Sequence, residues 1–320
     1  MSIQILGTGS YLPENIMTND DLAKIVDTSD EWISSRSGIR QRRISSDEMT
    51  TKMASFAAKR AVENAGISAD NIDLIIVATL SADKATPNTA CQVQEAIGAQ
   101  NAVCFDISAA CSGFVFALNT ARAYIETGMA NTALLIGAET LSKMMDWTDR
   151  GTCVLFGDGA GAAIVTKAED RIYETVTGSD GSKGFALTCG ERKLNNPLVQ
   201  HGNELAQIYM DGQEVFRFAV TVAPKCIKET LLKAGIEKEQ VRYYILHQAN
   251  LRIIKSVAKR LKEPEEKFPH DVEKYGNTSS ASIPILLDEM NREGRFSRHD
   301  LLVLCGFGGG LTWGSILLEW

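Results

Sequence analysis

Two kinds of hydrophobic pattern alternate along the chain. Residues 51–66 carry apolar positions at helical spacing and end at a glycine, whereas residues 71–80 include a short, nearly continuous apolar run typical of a buried strand. The same order, a helix and then a strand, returns at residues 223–236 and 241–250. Alternation of this kind predicts an α/β fold, in which helices connect the strands of a sheet.

The pattern also indicates a duplication. An apolar run at residues 132–140 has a counterpart at 300–309, and both halves close with a glycine-rich turn that feeds a strand, at 156–165 and 306–318. The residues themselves match weakly, but the repeated order is hard to obtain by chance. The halves predicted in this way are residues 1–168 and 169–320.

Composition and charge exclude several classes of protein. With 44% hydrophobic and 23% charged residues among 320, the chain has the balance of a globular protein with a sizeable core. A net charge of −7 argues against general nucleic-acid binding. No apolar run of about 18 residues suggests a membrane span, and no basic leader with a long apolar region precedes residue 3.

The cysteines bear on the compartment and on metal binding. The seven cysteines are odd in number and widely spaced, and no C-x-x-C pair occurs. This distribution favours neither a disulfide scaffold nor a zinc site, and it is typical of free thiols in a reducing compartment. We therefore expect a cytoplasmic protein with no metal site and with neither a membrane nor a nucleic acid as its partner.

One of these cysteines, Cys111, is a candidate nucleophile. It lies in DISAACSGFVFAL, residues 106–118, where the pattern changes from a strand end to a helix that runs to Gly128. Free N–H groups and the positive dipole end in the first turn of a helix favour a thiolate, and the small neighbouring residues would let an acyl group approach. The dipole alone contributes under about one pKa unit, so other groups have to help. The segment by itself fits a buried packing cysteine equally well.

His247 and Asn277 stand at comparable junctions. His247 directly follows the buried run at 243–246, and Asn277 precedes the helix that begins at residue 283. Because the active sites of such sheets gather at the carboxyl ends of strands, a cysteine, a histidine and an asparagine at three junctions indicate one site. A single histidine after a strand is more often structural, so the argument depends on the three residues together.

With these residues the chain resembles the β-ketoacyl-acyl carrier protein synthase III family, the condensing enzymes that start type II fatty-acid synthesis. The resemblance runs essentially end to end. It rests on five motifs in the family's order and spacing: DISAACSGF, DRGTCVLFGDGAGA, LHQANLRII, YGNTSSASIP and GFGGGLTWGS. It implies a thiolase-like α/β fold, in which two similar βαβαβαββ-type halves form a layered αβαβα core, and it implies a homodimer.

The reaction implied by the resemblance is a decarboxylative Claisen condensation. An acyl group passes from an acyl-CoA to Cys111, and malonyl-acyl carrier protein then loses carbon dioxide and attacks the acyl-cysteine to give a 3-oxoacyl-acyl carrier protein. Coenzyme A takes part as a thioester substrate, and no cofactor is expected. Asn277 agrees with this chemistry, because an amide cannot act as a general base but can donate a hydrogen bond to the enolate that decarboxylation forms.

The resemblance assigns further residues to the reaction. It makes His247 the second donor to the enolate, assigns the oxyanion hole to the backbone N–H groups of Cys111 and Gly309, and places Phe307 in the pocket wall. Thr86, just before the proline of TPNTAC, matches a position that gates the acyl pocket across the dimer. Because threonine is smaller than the phenylalanine that many relatives carry there, we expect a pocket that accepts primers longer or more branched than acetyl.

Two basic regions match the family's substrate contacts. Thr28 and Glu31 predict a capping box that opens a short helix ending at Gly38, on which Trp32 and Arg36 share one face. The second region is a helix predicted at residues 250–262, in which the basic positions share one face and the apolar positions lie on another. Without the resemblance, a packing tryptophan would explain the first region and a solvated basic helix face the second. The residues matched to the coenzyme A nucleotide are Trp32, Arg36, Arg150 and Arg252. The residues matched to carrier-protein docking are Arg217, Arg252, Lys255, Lys259 and Arg260.

Three other interpretations remain open at this point. A thiolase would carry a second cysteine two places before GGG and a histidine at Asn277, but Gly306 stands at the first position and Cys305 comes one place early. A hydroxymethylglutaryl-CoA synthase would need a catalytic carboxylate near Cys111, for which the sequence offers no obvious candidate. A catalytically inactive scaffold of the same fold is disfavoured by the intact cysteine, histidine and asparagine.

Overall fold

Strands and helices alternate along the chain, as the hydrophobic pattern predicts. The structure, a computed structural model, describes residues 2–191, 193–199, 202, 205 and 207–320. The strands are β1 Ser2–Tyr11, β2 Ile16–Thr18, β3 Gln41–Arg43, β4 Leu74–Ala78, β5 Val103–Ile107, β6 Thr132–Glu139, β7 Gly159–Ala168, β8 Tyr173–Ser179, β9 Leu187–Thr188, β10 Tyr209–Met210, β11 Val241–Leu246, β12 Leu301–Gly308 and β13 Thr312–Glu319. The α-helices are α1 Asn19–Leu22, α2 Asp30–Ser37, α3 Thr50–Ala65, α4 Thr89–Ile97, α5 Gly113–Glu126, α6 Gly212–Ala234, α7 Leu251–Leu261, α8 Val272–Tyr275 and α9 Ser282–Arg292.

The longer strands form two sheets of related topology. The first sheet has the order β1-β7-β6-β4-β5, with β4 parallel to β5 and β6 and with β7 antiparallel to β1 and β6. The second sheet has the order β8-β13-β12-β11, which repeats the first four positions with the same directions. The division of the chain at residue 168, where β7 ends, stays a prediction.

Sheets and helices stack in five layers. One core cluster packs α3 and α4 on the outer face of the first sheet, and another packs α6 and α7 on the outer face of the second. The central cluster joins both sheets to α5 and α9, through residues such as Leu118, Leu135, Leu287 and Leu304. This αβαβα arrangement confirms the predicted thiolase-like fold. Its two central helices are the ones that follow Cys111 and Asn277 in the sequence.

The short helix α2 begins one residue later than the sequence predicts. Its N-cap is Ser29, whose hydroxyl accepts a hydrogen bond from the N–H of Trp32 at 3.1 Å, so the predicted capping box of Thr28 and Glu31 is wrong. The predicted end of the helix is confirmed. Gly38 closes it in a left-handed conformation, with a φ of 83° that glycine adopts without strain.

Candidate active site

Three element ends bring Cys111, His247 and Asn277 to one cavity. Cys111 lies in a 3₁₀ turn, Ala110–Ser112, directly before α5, while His247 follows β11 and Asn277 lies between α8 and α9. The three residues are almost completely buried, with 5%, 1% and 7% of their surfaces exposed. They line a cavity of about 80 Å³ together with Phe307. Residues far apart in the sequence therefore share one chemical environment.

The backbone around Cys111 is tightly constrained. Ala110 precedes it with a φ of 44°, a left-handed conformation that costs energy in a residue with a side chain. Opposite this turn, a Cβ atom at Gly308 would lie 2.8 Å from the Cβ of Cys111 and 3.1 Å from its Sγ. Only glycine therefore fits at position 308, and the close approach of β12 limits where the sulfur can lie.

Burial opposes the ionisation of Cys111. Its S–H donates to the hydroxyl of Ser279 at 3.4 Å, and burial raises the pKa of the thiol to about 12. The helix start alone does not offset this effect, because the loss of solvation outweighs a dipole contribution of under about one pKa unit. The thiol has to lose its proton as it reacts.

The imidazole of His247 is held as a neutral ring. Its Nδ1 lies 2.7 Å from the hydroxyl of Ser282, and burial lowers the pKa of the ring to about 3. The Ser282 hydroxyl oxygen also lies 2.9 Å from the carbonyl oxygen of Ser279, and its one hydrogen can serve either acceptor. If it goes to Nδ1, the ring carries its hydrogen on Nε2 and can donate from there; if it goes to Ser279, the ring hydrogen stays on Nδ1. The ring also meets Phe307 edge to face, with 5.5 Å between the ring centres.

Hydrogen bonds orient the side-chain amide of Asn277. Its Oδ1 accepts the N–H of Ser279 at 2.8 Å, so Nδ2 is the atom that can donate into the cavity. The backbone is anchored as well, since the N–H of Asn277 donates to the carbonyl of Leu155 at 2.9 Å and its own carbonyl accepts from Gly157 at 3.0 Å. Ser279 has a φ of 50°, so its contacts have to hold a strained turn in place.

A second cavity opens on the other side of Cys111. Its volume is about 250 Å³, and it shares Cys111, Phe156 and Leu187 with the first cavity. Gly309 lies at its edge. Sequence analysis missed most of its wall, because no local pattern brings these segments together. The further apolar and thiol side chains along it are Leu80, Leu141, Cys189 and Ile208.

Thr86, the predicted gate, does not line either cavity of its own chain. It is exposed on the loop between β4 and α4, which leads towards β5. β5 is an edge strand of the first sheet, and its side chains stand partly open, with Val103 58% exposed and Phe105 and Ile107 half-buried. The gate residue and the open sheet edge therefore lie on connected segments of the chain.

A surface cleft leads to the cavity around Cys111. Its volume is about 950 Å³, and it shares Leu155 and Phe216 with that cavity. The guanidinium groups of Arg36 and Arg150 lie 4.6 and 5.1 Å from the ring centre of Trp32. An aromatic and basic lining of this kind suits a planar, anionic ligand. The predicted substrate-binding residues that line the cleft are Trp32, Arg36, Arg217 and Arg252.

The outer face of α7 is basic and its inner face is apolar, as the sequence predicts. Lys255, Lys259 and Arg260 are exposed on this helix. Lys255 forms a salt bridge of 3.2 Å with Glu265, and Arg217 on α6 pairs with a glutamate of its own helix. Within the described ranges, Arg252, Lys259 and Arg260 form no salt bridge, so their charges are free to meet a partner.

The structure disfavours the thiolase interpretation. Cys305 is fully buried between the second sheet and its outer helices, and it lines neither cavity. A Cβ atom at Gly306 would lie 2.9 Å from the Cα of Ser112 and 3.1 Å from the carbonyl oxygen of Cys111, so there is no room for a cysteine there.

In the part of the chain that the structure describes, no cluster of three or more His, Cys, Asp or Glu could hold a metal ion, and no helix is long and apolar enough to cross a membrane.

Sequence analysis missed one acidic residue close to Cys111. Glu139, at the end of β6, is fully buried, and a negative charge on it would raise the pKa of Cys111. Glu139 lines neither of the two cavities. It therefore does not supply the substrate-contacting carboxylate that a hydroxymethylglutaryl-CoA synthase would need.

A thiolase-type αβαβα fold whose central cavity holds a buried cysteine, histidine and asparagine defines a condensing enzyme. A family model described as 3-oxoacyl-[acyl-carrier-protein (ACP)] synthase III matches residues 105–181, and its C-terminal counterpart matches residues 231–320. The chain belongs to this 3-oxoacyl-[acyl-carrier-protein] synthase III family. It is an acyltransferase that carries out the condensation initiating fatty-acid biosynthesis.

Related proteins match the chain from end to end. A curated relative from Clostridium acetobutylicum, named beta-ketoacyl-[acyl-carrier-protein] synthase III, is 52% identical over 100% of this chain and 99% of its own. The crystal structure of 3-oxoacyl-[acyl-carrier-protein] synthase III from Aquifex aeolicus has a TM-score of 0.93 and 48% identity, with 99% of this chain and 100% of that one covered. The priming beta-ketosynthase of the R1128 polyketide pathway also reaches a TM-score of 0.93, at 36% identity, with 99% and 96% covered.

Proposed function

We propose that the enzyme condenses a short acyl-CoA primer with malonyl-acyl carrier protein and that Cys111 is its nucleophile. The observation that carries the proposal is the position of Cys111 between two cavities. The 80 Å³ cavity opens to the cleft lined by Trp32 and the arginines, here called the basic cleft, and the 250 Å³ cavity on the other side is here called the apolar cavity. A pantetheine arm can reach the sulfur from the cleft, and the acyl chain can rest in the apolar cavity. The test is an assay with a panel of primers, in which carbon dioxide and 3-oxoacyl-carrier protein are both measured.

In the first stage, the sulfur of Cys111 attacks the thioester carbonyl of the primer. The backbone N–H groups of Cys111 and Gly309, both at the apolar cavity, stabilise the negative charge that develops on the carbonyl oxygen. The bond between the acyl carbon and the coenzyme A sulfur then breaks. The cysteine proton ends on the departing thiol, so the stage neither consumes nor releases a proton.

In the second stage, the malonyl thioester loses carbon dioxide, and its enolate attacks the acyl-cysteine. The proposal takes the tautomer of His247 that has its hydrogen on Nε2. Nε2–H of His247 and Nδ2–H of Asn277 then donate to the enolate oxygen, and these two donors replace the water that would stabilise the enolate in solution. The carbon–sulfur bond to Cys111 breaks, and the cysteine takes up one proton from the solvent. Because neither donor has to take a proton from carbon, a neutral histidine and an amide are sufficient.

The nucleotide of coenzyme A is proposed to bind at the mouth of the cleft. Trp32 offers a ring for the base, and the guanidinium groups around it can meet phosphates in a planar, two-pronged geometry. The residues proposed for this contact are Trp32, Arg36, Arg150 and Arg252. Phe307, edge to face with His247, is proposed to wall the passage that the pantetheine arm follows.

The acidic carrier protein is proposed to dock on the basic face formed by Arg217, Arg252, Lys255, Lys259 and Arg260. Reversing two of the unpaired charges, Lys259→Glu with Arg260→Glu, should lower kcat/KM for malonyl-acyl carrier protein and leave acyl transfer from acyl-CoA unchanged. Exposed charges mainly steer the encounter, so the defect should shrink as salt is added. Steady-state kinetics at several salt concentrations measure both substrates.

Two exposed lysines of α6, Lys225 and Lys228, provide a matched control. Their replacement by glutamate changes the net charge by the same amount, at a distance from the cleft mouth. If this control weakens use of the carrier protein as much as the α7 variant does, net charge and not docking explains the effect. An equal loss for both substrates in the α7 variant would also contradict the docking role.

We further propose a homodimer that forms across the edge strand β5. An edge strand leaves backbone groups unpaired, and Val103, Phe105 and Ile107 are only partly covered on this one. In such a dimer the loop with Thr86 would reach the apolar cavity of the partner subunit.

With all seven cysteines free, we propose a reducing, cytoplasmic location. No cofactor is needed, because both stages of the reaction balance without a cofactor.

The gate makes a prediction about primer choice. Thr86→Phe should shift the ratio of kcat/KM values from butyryl- and isobutyryl-CoA towards acetyl-CoA, because the ring fills space that a longer chain would occupy and each excluded methylene is worth about 0.8 kcal/mol. The neighbouring substitution Ala85→Phe adds a ring of the same kind one residue away and should leave the ratio unchanged.

Mixed dimers separate a gate that acts across the interface from one that acts within the chain. In a dimer of one Thr86→Phe chain and one Cys111→Ala chain, the only active cysteine belongs to the Thr86→Phe chain. Its gate then comes from the other subunit and is still threonine, so the wild-type primer ratio should return. A ratio like that of the Thr86→Phe homodimer would mean that the gate acts within its own chain.

A further inference from the structure

The buried carboxyl of Glu139 has no basic partner. It lies at the end of β6 with none of its surface exposed, and among the described residues no Lys, Arg or His forms a salt bridge with it. Polar groups surround it instead. Its Oε2 accepts from the Ser81 hydroxyl at 2.5 Å, the Thr79 hydroxyl at 3.3 Å and the Leu80 N–H at 3.2 Å, while its Oε1 lies 2.8 Å from the hydroxyl oxygen of Ser280.

The hydrogens in this cluster can be counted. The Ser280 hydroxyl oxygen lies 2.8 Å both from the carbonyl oxygen of Ala78 and from Oε1 of Glu139. A carbonyl oxygen can only accept, and a hydroxyl group has one hydrogen, so both contacts can be hydrogen bonds only if that hydrogen goes to Ala78. The contact between Ser280 and Glu139 then needs a hydrogen on Oε1.

The other carboxyl oxygen supports the same assignment. Ser81 accepts the N–H of Thr140 at 2.9 Å, so its own hydroxyl hydrogen is free for Oε2 of Glu139. Three donors thus converge on Oε2, as they would on the carbonyl oxygen of a carboxylic acid. The Leu80 N–H also lies 3.4 Å from Oε1, which is farther than its 3.2 Å from Oε2. The nearest neighbour of Oε1 is the Ser280 hydroxyl oxygen at 2.8 Å, so Oε1 has the environment of the acid's hydroxyl group.

We infer that Glu139 is a protonated carboxylic acid that donates to Ser280 and thereby positions the turn that carries Asn277 and Ser279 against Cys111. The inference rests on the proposed function in one respect, since it takes Cys111 and Asn277 as the reacting and donating residues. Glu139 itself touches neither cavity. It is a positioning residue.

The turn needs such a hold. Ser279, next to Ser280 in the chain, accepts the thiol hydrogen of Cys111 and donates its N–H to Oδ1 of Asn277. Its left-handed φ of 50° is unfavourable for a serine and persists only where the surroundings impose it. The link from Glu139 through Ser280 to the carbonyl of Ala78 ties this turn to the end of β4, and so fixes Asn277 relative to Cys111.

A neutral Glu139 also removes an opposing charge from the site. Burial raises the pKa of Glu139, and a negative charge on it would raise the pKa of Cys111 and repel the enolate. Among the described residues, the titratable groups near Glu139 supply no cation that would compensate its charge. Cys189 and Asp158 carry no positive charge, and Asp158 bonds to Ser45 and Ser142. Lys143 lies beyond Thr50 and is already paired with Asp83.

The protonation state can be read by infrared spectroscopy. The difference spectrum between wild type and Glu139→Gln should contain the carbonyl stretch of a protonated carboxylic acid, unchanged from mildly acidic to mildly alkaline pH. Ser280→Ala keeps the carboxyl but removes its acceptor, so it should shift that band. This second variant remains informative if Glu139→Gln folds poorly, and neither spectrum depends on which residue is acylated.

Chemistry at Cys111 provides the second measurement. Glutamine keeps the shape, the acceptor oxygen and a donor to Ser280, so Glu139→Gln should leave the pH dependence of Cys111 alkylation by iodoacetamide unchanged. Ser280→Ala should lower kcat for condensation about tenfold or more with little change in KM, because the turn loses its hold. An ionised Glu139 would show itself by the absence of the acid band and by a lower apparent pKa of Cys111 in Glu139→Gln, and either result overturns the inference.

Discussion

Replacing Cys111 by alanine should abolish covalent acylation and lower condensation by about 10⁴-fold or more. Wild-type protein incubated with a short acyl-CoA should gain one acyl group, because Cys111 is the thiol at which the passage from the cleft meets the apolar cavity. Intact-protein mass spectrometry shows the added group, and peptide mapping locates it.

Cys189→Ala is the matched control for this prediction. Cys189 is a second thiol in the wall of the apolar cavity, and burial raises its pKa to about 11. It lacks the glycine-rich approach that surrounds Cys111, so its removal should leave acylation intact. An acyl group found on Cys189, Cys104 or Cys153 in place of Cys111 would overturn the assignment of the nucleophile.

Loss of the two enolate donors should separate the stages of the reaction. In His247→Ala and in Asn277→Ala, decarboxylation of malonyl-acyl carrier protein should fall by roughly 10²-fold or more, because each variant lacks one donor to the developing negative charge. Acyl transfer to Cys111 should survive much better, since its oxyanion is stabilised by backbone N–H groups. Release of labelled carbon dioxide and the rate of acyl loading measure the stages independently.

Asn277→Asp refines the test. It keeps the size of the side chain but replaces the Nδ2 donor by an oxygen, so it should impair decarboxylation at least as much as alanine does. Because burial lowers the pKa of His247 to about 3, the ring stays neutral and should add no step to the pH profile between about pH 5 and 8. If acyl transfer and decarboxylation fall equally in all three variants, these residues act on the nucleophile and not on the enolate.

The sequence predicts the elements and the places of the candidate site residues because both are marked by local signals. Hydrophobic periodicity locates the helices and strands, and Cys111, His247 and Asn277 each stand where such a pattern ends. The boundary of α2 was misplaced by one residue, because Thr28 and Ser29 are both acceptable N-caps and only the folded backbone decides between them.

Contacts between distant segments could not be predicted in this way. Ser279 meets Cys111 across 168 residues, and Ser280 meets Glu139 across 141. How strongly burial opposes the ionisation of Cys111 is hidden from the sequence for a related reason. The helix start is visible in the sequence, but the burial that raises the pKa depends on β12 and on the 277–282 turn, which reach the thiol from the other end of the chain.

The crowded ring of Trp32 has a consequence for turnover. In the proposed cycle, spent coenzyme A has to leave the cleft before the carrier protein can deliver its arm through the same opening. The guanidinium groups of Arg36 and Arg150 already contact the indole of Trp32. When the base of coenzyme A leaves the ring, these guanidinium groups can cover it, so that the indole is not exposed to water. Such a contact is worth about 0.5–1 kcal/mol at an exposed site, which shortens the residence time of the product a few-fold. In that proposed cycle, the pair of arginines that attracts acyl-CoA would also hasten the release of coenzyme A.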